Sequence, residues 1–507
     1  MLKPLTRPST LIDCPALKTK TGQMTLSLSY LATIALSVSL MVFFLGCTQA
    51  TRHTIDRPFI DAPISTDTIF GEATIGDSRS KEAINNIKTP DLPKGQLTLD
   101  QCLTLARKVS PSLDSADQAY MGAMWSRWQA ITNFLPTGST SYRVTHSDQP
   151  LTGYSGHDRY TWDVSVSQPI FAGGANVARY LLAQLGLAAA DIQKIQAREE
   201  LMLGVKQAFY GILASERALT VAKTSVVNLS SHLNVARNFY EVGMVPQNQV
   251  LQAEVELAKA QQEEITQSRN LVVNKARLNI LLRQEVDYPI DIHDELLFDP
   301  FPLTLEECLN IGLSDNPEIR LGRNQVQSGA KNVDLARSAL LPQVSVNWSN
   351  SSQGTSAGVR DANEWSMAAV ASFNFWEWGR SKADVEISKV NLNQAVNSLT
   401  SLEDNTKLEV TSNYQTLLSA GRNISVAAKA VESAAEDLRM VSERYQEQVA
   451  TTTEVLDAQT RYSEAQYEYY QALYNYNLAW ASLERTMGRR VTKAGLAPRE
   501  SANLPNL

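Results

Sequence analysis

Leu97-Thr98-Leu99-Asp100-Gln101-Cys102-Leu103 is written again, 206 residues further on, as Leu303-Thr304-Leu305-Glu306-Glu307-Cys308-Leu309. The echo continues: Ser110-Pro111 returns as Asn316-Pro317 and Phe134-Leu135-Pro136 as Leu340-Leu341-Pro342, at the same offset. Pro169-Ile170-Phe171-Ala172-Gly173-Gly174 aligns with Asn374-Phe375-Trp376-Glu377-Trp378-Gly379 at an offset of 205, which Tyr240/Tyr445, Leu251/Leu456 and Ala253/Ala458 also keep. Near-constant spacing over so long a stretch is a tandem duplication. We place one copy at 97–298 and the other at 299–490, joined at Asp299-Pro300-Phe301-Pro302, with a C-terminal tail at 491–507.

Both copies run through the same order. A helix of moderate length ends at Leu-Pro, two segments of alternating polarity follow, and a very long helical tract broken once completes the copy. In the first copy Tyr160, Trp162, Val164 and Val166 alternate with Thr161, Asp163, Ser165 and Ser167. In the second, Val344, Val346 and Trp348 alternate with Ser345, Asn347 and Ser349, and Trp365, Met367, Ala369, Ala371, Phe373 and Phe375 form a further apolar row. Period two is the signature of a strand with two unlike faces. Segments of about 8–11 residues match the length of a tilted strand crossing a bilayer. Aromatic residues near their ends fit an interfacial girdle, although a hairpin on a soluble sheet also alternates.

The helical tracts exceed the size of an ordinary domain core. No proline falls between Pro342 and Pro498, and neither Gly nor Pro between Gly421 and Gly488. A helix from about Ala188 to Glu241 would span roughly 80 Å. In the last tract Ala458, Tyr462, Ala465, Tyr469, Ala472, Tyr476, Ala479 and Leu483 form an unbroken heptad seam, with Tyr467, Tyr470, Tyr474 and Ala481 on a neighbouring face. Two packing stripes suit a helix with a neighbour on each side, as in a cylinder wall. The first copy keeps Ala253, Leu257, Ala260, Leu271 and Leu278, interrupted by Glu264, Gln267 and Asn274. A two-stranded coiled coil explains the seam equally well but not the strands.

Residues 1–46 read as an export signal. Lys3, Arg7, Lys18 and Lys20 precede an apolar run from Leu26 to Leu45, and Met24 is an alternative start. The run ends in Phe44-Leu45-Gly46-Cys47, which resembles the lipobox of bacterial lipoproteins, with cleavage before Cys47 and acylation of its thiol. An uncleaved membrane anchor is the other reading of a run this long. Thr48, not Asp, after the cysteine resembles the signal for outer-membrane sorting, and 47–96 is a polar, extended tail.

Composition excludes several classes. A net charge of -7 argues against a nucleic-acid partner. Five scattered histidines give no metal-ligand spacing, and no cofactor is implied. Cys102 and Cys308, in apolar helical patterns, are too few for a disulfide framework and read as small buried hydrophobes. No nucleophile–base pair or phosphate loop is present, so the chain is not read as an enzyme.

Two strands per copy make four per chain, too few to close. Open strand edges are excluded from lipid, because each unpaired backbone group costs several kcal/mol there. Membrane barrels have at least eight strands, so chains must share one, and three chains with twelve strands are the economical solution. The fold class is thus a trimeric transmembrane β-barrel continued by a long periplasmic α-helical barrel.

These features together resemble the TolC-type outer-membrane factors, over about residues 97–490. The most specific match is Tyr240-Glu241-Val242-Gly243-Met244-Val245 with Val250-Leu251-Gln252-Ala253, similar to the family's hairpin tip; Tyr445 to Val449 with Val455-Leu456-Asp457-Ala458 is its counterpart. The resemblance implies a homotrimer in the cell outer membrane, a periplasmic adaptor docked at the tips (Val242, Gly243, Met244, Val245, Gln448, Val449) and an inner-membrane pump behind it. It also places Glu454 and Asp457 at the family's periplasmic gate of acidic rings, while Thr451-x-x-Glu454 equally fits a helix capping box. The second tip departs from the family in carrying Gln448 for Gly, and Gln249 and Ala450 replace the acidic and basic residues of a gate-locking link. The alternatives to an efflux duct are the exit duct of a type I protein secretion system and a periplasmic coiled-coil scaffold lipoprotein.

If Cys47 is the acylation site, Cys47→Ser is expected to abolish incorporation of labelled fatty acid and block signal removal, while the barrel still inserts. Normally labelled protein in the variant would overturn the assignment.

Overall fold

Thr98 and Thr304 start the two copies in the same way. Each caps a helix whose third residue, Gln101 or Glu307, reaches back to the cap's own N–H. The computed structural model describes residues 96–148, 157–357, 362–492 and 495–496. The export signal, Cys47 and the tail before Gln96 lie outside the described residues.

The first copy comprises α1 (Leu99–Val109), α2 (Pro111–Thr132), β1 (Thr137–His146), β2 (Asp158–Ala172), α3 (Ala175–Glu241) and α4 (Gln247–Leu281). The second comprises α5 (Leu305–Asp315), α6 (Pro317–Ser338), β3 (Gln343–Gly354), β4 (Ala362–Ser372), α7 (Arg380–Gln446) and α8 (Thr452–Met487). A short hairpin, β5 (Val491–Thr492) and β6 (Gly495–Leu496), follows.

Four details correct the sequence reading. The moderate helix is two helices, because Pro111 and Pro317 sit at the first helical position and hold the preceding Ser110 and Asn316 out of helical backbone, at ψ 121° and 124°. The long helices begin earlier than Ala188: α3 and α7 each contain 67 residues, about 100 Å at the usual rise. β2 runs to 15 residues, and β3 to 12, beyond the expected 8–11; β2 absorbs Ile170 as a bulge between Pro169 and Phe171, where proline has no N–H for the ladder. Phe373 and Phe375 lie past the end of β4 and leave the apolar row.

The sheet is antiparallel throughout, in the order β1-β2-β3-β4, so the two copies meet at β2–β3 and leave β1 and β4 as its edges. Its register sorts side chains by face. Gly138, Val166, Trp348 and Met367 share one row, as do Thr140, Val164, Asn350 and Trp365. The opposite face carries Ser139, Ser165, Ser349 and Ser366 in one row, hydrogen-bonded in pairs at 2.8 and 2.9 Å, and Ser141, Asp163, Ser351 and Glu364 in the next. One face thus gathers the large apolar side chains, with Thr140 and Asn350 among them, and the other is polar. Among the described residues no helix is long and apolar enough to cross a membrane.

Duplication extends to the cores. Cys102, Val205, Ile212, Leu278 and Leu282 are buried in one, and their counterparts Cys308, Val410, Leu417, Leu483 and Met487 in the other. Burial raises both thiol pKa values to about 11, as expected of inert cysteines. Left-handed backbone is duplicated as well. Gly174 and Gly379 begin α3 and α7 at φ 87° and 85°. The other such positions pair a glycine with a different residue: Gly173 with Trp378, Gly243 with Gln448, and Gly488 with Arg283.

α8 packs on α7 and on α3, which binds the copies together. The heptad seam is buried at Ala458, Ala465, Ala472, Tyr476, Ala479 and Leu483. At this contact Lys206 of α3 is buried in an ion pair with Glu484 of α8, whose other oxygen accepts the Val491 N–H at 2.7 Å.

Breaking one side of such a pair strands a buried charge, which costs about 3–5 kcal/mol. Lys206→Met is therefore expected to lower the denaturation midpoint, and Lys206→Met with Glu484→Gln to recover much of the loss. A single variant as stable as the double would contradict this account.

Candidate functional site: the paired hairpin tips

The helices α3 and α7 end alike, each at a left-handed residue two positions after the helix. Gly243 takes φ 75°, and Met244 N–H returns to the Phe239 carbonyl at 2.8 Å; Gln448 takes φ 64°, and Val449 N–H returns to the Arg444 carbonyl at 2.8 Å. Glycine adopts this conformation freely, whereas Gln448 does so at a cost. Pro246, extended, is the cap of α4, and Thr451 the cap of α8.

The two tips lie side by side, joined by uncharged bonds. Thr452 Oγ1 donates to Gln249 Oε1 at 2.9 Å and is hydrogen-bonded to the Tyr445 hydroxyl at 3.1 Å; Thr453 Oγ1 donates to Gln252 Oε1 at 3.4 Å. Gln448 Nε2 lies 2.6 Å from the Met244 sulfur. Thus Gln249, which stands where the resemblance expects an acid, still links the hairpins, through hydroxyls. Behind these bonds Val441, Tyr445, Val455 and Ala458 are buried together with the flanking Val235 and Phe239. At the end itself Val242, Met244 and Val449 are exposed, and Val245 is half-buried.

Glu454 and Asp457 lie on the first turns of α8. The Glu454 carboxylate accepts from Thr451 N–H at 3.2 Å and Thr451 Oγ1 at 3.0 Å, while Thr451 Oγ1 accepts from Glu454 N–H at 3.3 Å. Arg444 Nη1 stands 3.9 Å from its second oxygen. The capping box is therefore formed, and Glu454 is engaged locally; Asp457 is exposed.

His232 is a tip residue that the sequence reading missed. It packs against the Tyr445 ring at 4.8 Å between centroids, on a cavity of about 280 Å³ lined also by Asn228, Val235, Ser442 and Gln459. A lone histidine within an apolar helical pattern carries no signal of its own. Burial lowers its pKa from 6.5 to about 4.

The architecture is that of a membrane channel-tunnel: duplicated helical hairpins carrying a shared, two-faced sheet. The family model for outer membrane efflux proteins matches residues 102–282 and again 309–489. The chain belongs to this family, whose members are outer-membrane channels and not enzymes. It is 22% identical over 345 residues to the outer membrane efflux protein BepC of Brucella suis biovar 1 (strain 1330), covering 65% of this chain and 72% of that protein. The fold matches the outer membrane protein VceC of Vibrio cholerae with a TM-score of 0.68 at 18% identity, over 77% of this chain and 96% of that one. It matches the CmeC outer membrane channel of Campylobacter jejuni with a TM-score of 0.69 at 15% identity, over 86% and 94%.

The His232 pKa sets the sign of a pH effect. The folded tip holds the ring neutral below its unfolded pKa of 6.5, so its contribution is complete above that value and is lost as pH falls toward about 4. Protection of the tip amides against hydrogen exchange should weaken across this window, and less so in His232→Gln. An equal pH response in the variant would remove His232 as the cause.

Proposed function

We propose that three copies of this chain close into a twelve-stranded outer-membrane barrel above a ring of helical hairpins, forming the exit duct of a tripartite efflux system. One observation carries this reading. Three cross-copy contacts within the chain, β2 on β3, α6 on α3 and α8 on α3, are each made once, where a duplicated ring needs them twice. The missing counterparts are β4 on β1, α2 on α7 and α4 on α7, all from one chain to the next. Leu456 is 7% exposed against its neighbours, while its first-copy counterpart Leu251 is 51% exposed and waits for the equivalent cover. Closing the sheet onto itself through three chains also pairs the free backbone groups of β1 and β4, as a lipid setting requires.

In this assembly the polar face of Ser139, Ser165, Ser349 and Ser366 lines the lumen and the apolar face meets lipid. The tip surface of Val242, Gly243, Met244, Val245, Gln448 and Val449 docks the periplasmic adaptor, with an inner-membrane pump behind it. Cys47 carries the lipid that tethers the chain to the outer membrane. Glu454 and Asp457 ring the narrow periplasmic end and favour cations there. A non-channel scaffold has no use for a sheet with one apolar face, so the duct is preferred.

Glu454→Gln with Asp457→Asn tests the gate with little structural cost, since glutamine can still complete the capping box. Single-channel recording is expected to show reduced cation preference and weaker block by multivalent cations. Unchanged selectivity and block would reduce both residues to helix-start chemistry.

A further inference from the structure

Gly173 and Trp378 occupy equivalent positions, each the first of two left-handed residues between a strand and a long helix, at φ 60° and 53°. Their surroundings are opposite. A Cβ on Gly173 would stand 2.3 Å from the Ser338 carbonyl oxygen and 3.1 Å from Leu341, so the turn after β2 is pressed against the end of α6 and admits only glycine. Trp378 is 89% exposed, in contact with Trp376 at 5.4 Å between ring centroids, and Trp376 is itself 66% exposed. A bulky residue in left-handed backbone is strained, and the ring contact of Trp378 is with a residue that is itself exposed.

The duplication says what faces Trp378. Ser338 and Leu341 have Thr132 and Leu135 as first-copy counterparts, so in the proposed trimer the turn after β4 approaches the end of α2 in the next chain. That end differs from its counterpart too. Trp125 and Trp128, two turns and one turn before Thr132, are exposed at 61% and 56%, followed by exposed Phe134 and Leu135. The positions equivalent to Trp125 and Trp128 in α6 are Lys331 and Asp334, which form an exposed ion pair at 3.2 Å. Four of the eight tryptophans in the sequence therefore lie on the two surfaces that the proposed trimer brings together, at positions where the seam inside the chain uses Phe, Gly, Lys and Asp.

We propose that Trp376 and Trp378 form an aromatic clamp between subunits, inserted against Trp128, Phe134 and Leu135 of a second copy of this chain. The inference rests on the proposed trimer. It adds that the seam between chains is wider than the seam within one: at the spacing of the Gly173 turn, the Trp378 Cβ would collide with the Thr132 carbonyl of the next copy. Aromatic rings fill the additional space. Such residues bring large contact area with few rotatable bonds.

The test uses full-length protein extracted from outer membranes in detergent, with the temperature of trimer dissociation read by gel migration. Trp378→Gly relieves the backbone strain, so the sign of its effect is informative. The clamp predicts a drop of several degrees for Trp378→Gly and for Trp376→Ala. An unchanged or raised temperature for both would overturn it and leave Trp378 a strained surface residue. Quenching by brominated phospholipids in vesicles separates the remaining occupant: the fluorescence lost on Trp376→Phe with Trp378→Phe should be poorly quenched compared with that lost on Trp365→Phe. Equal quenching would assign the pair to the lipid interface instead. A wild-type chain that migrates as a monomer would sink the assembly itself, a result distinct from a stable trimer indifferent to these tryptophans.

Discussion

Backbone hydrogen bonding in lipid is the constraint from which the rest of this structure follows. A strand edge in water can be solvated, but in hydrocarbon each bare N–H or C=O costs several kcal/mol. The four antiparallel strands of one chain satisfy three ladders and leave β1 and β4 open. Everything beneath the sheet is arranged around the same incompleteness. The seam between β2 and β3 continues downward as α6 on α3 and α8 on α3, with the Lys206–Glu484 pair buried in it. The outer flanks, with Leu251, Trp125 and Trp378, remain uncovered.

Duplication supplies the pieces cheaply, and the two copies show which features each position must keep. Core positions repeat almost unchanged, because a close-packed interior tolerates little change of volume: Val205 with Val410, Leu278 with Leu483, Cys102 with Cys308. Left-handed backbone also repeats, yet beyond the Gly174/Gly379 pair the glycine does not. It is retained at Gly173 and Gly488, where a Cβ would meet a carbonyl oxygen at 2.3 and 2.8 Å. At Trp378, Gln448 and Arg283 the same backbone carries a side chain.

Much of the fold was legible in the sequence because its signals are periodic. Alternation at Tyr160 to Ser167 gave the strand faces correctly, and the heptad from Ala458 to Leu483 gave the buried seam. Local punctuation was harder to weigh. Ser110-Pro111 was visible as a repeated motif, but only the extended backbone at Ser110 shows that it divides α1 from α2. The bulge at Ile170 and the true start of α3 at Ala175 leave no periodic trace. Long-range chemistry was not legible at all: Lys206 and Glu484 lie 278 positions apart, and neither is unusual in its own helix. At the tips the sequence marked Gly243, Gln448 and Glu454, whereas the Thr452–Gln249 bond and the place of His232 required the fold.

The unbroken 67-residue helices have a mechanical consequence. Each is a stiff lever, pivoted at the membrane end by a left-handed turn and free of proline along its length. Over about 100 Å, a tilt of about one degree at the pivot moves the far end by about 2 Å, comparable to the reach of a single hydrogen bond. The Thr452–Gln249 and Gln448–Met244 links stand at that far end. Small rotations next to the bilayer are thereby geared up into motions large enough to make or break the contacts that hold the hairpin tips together.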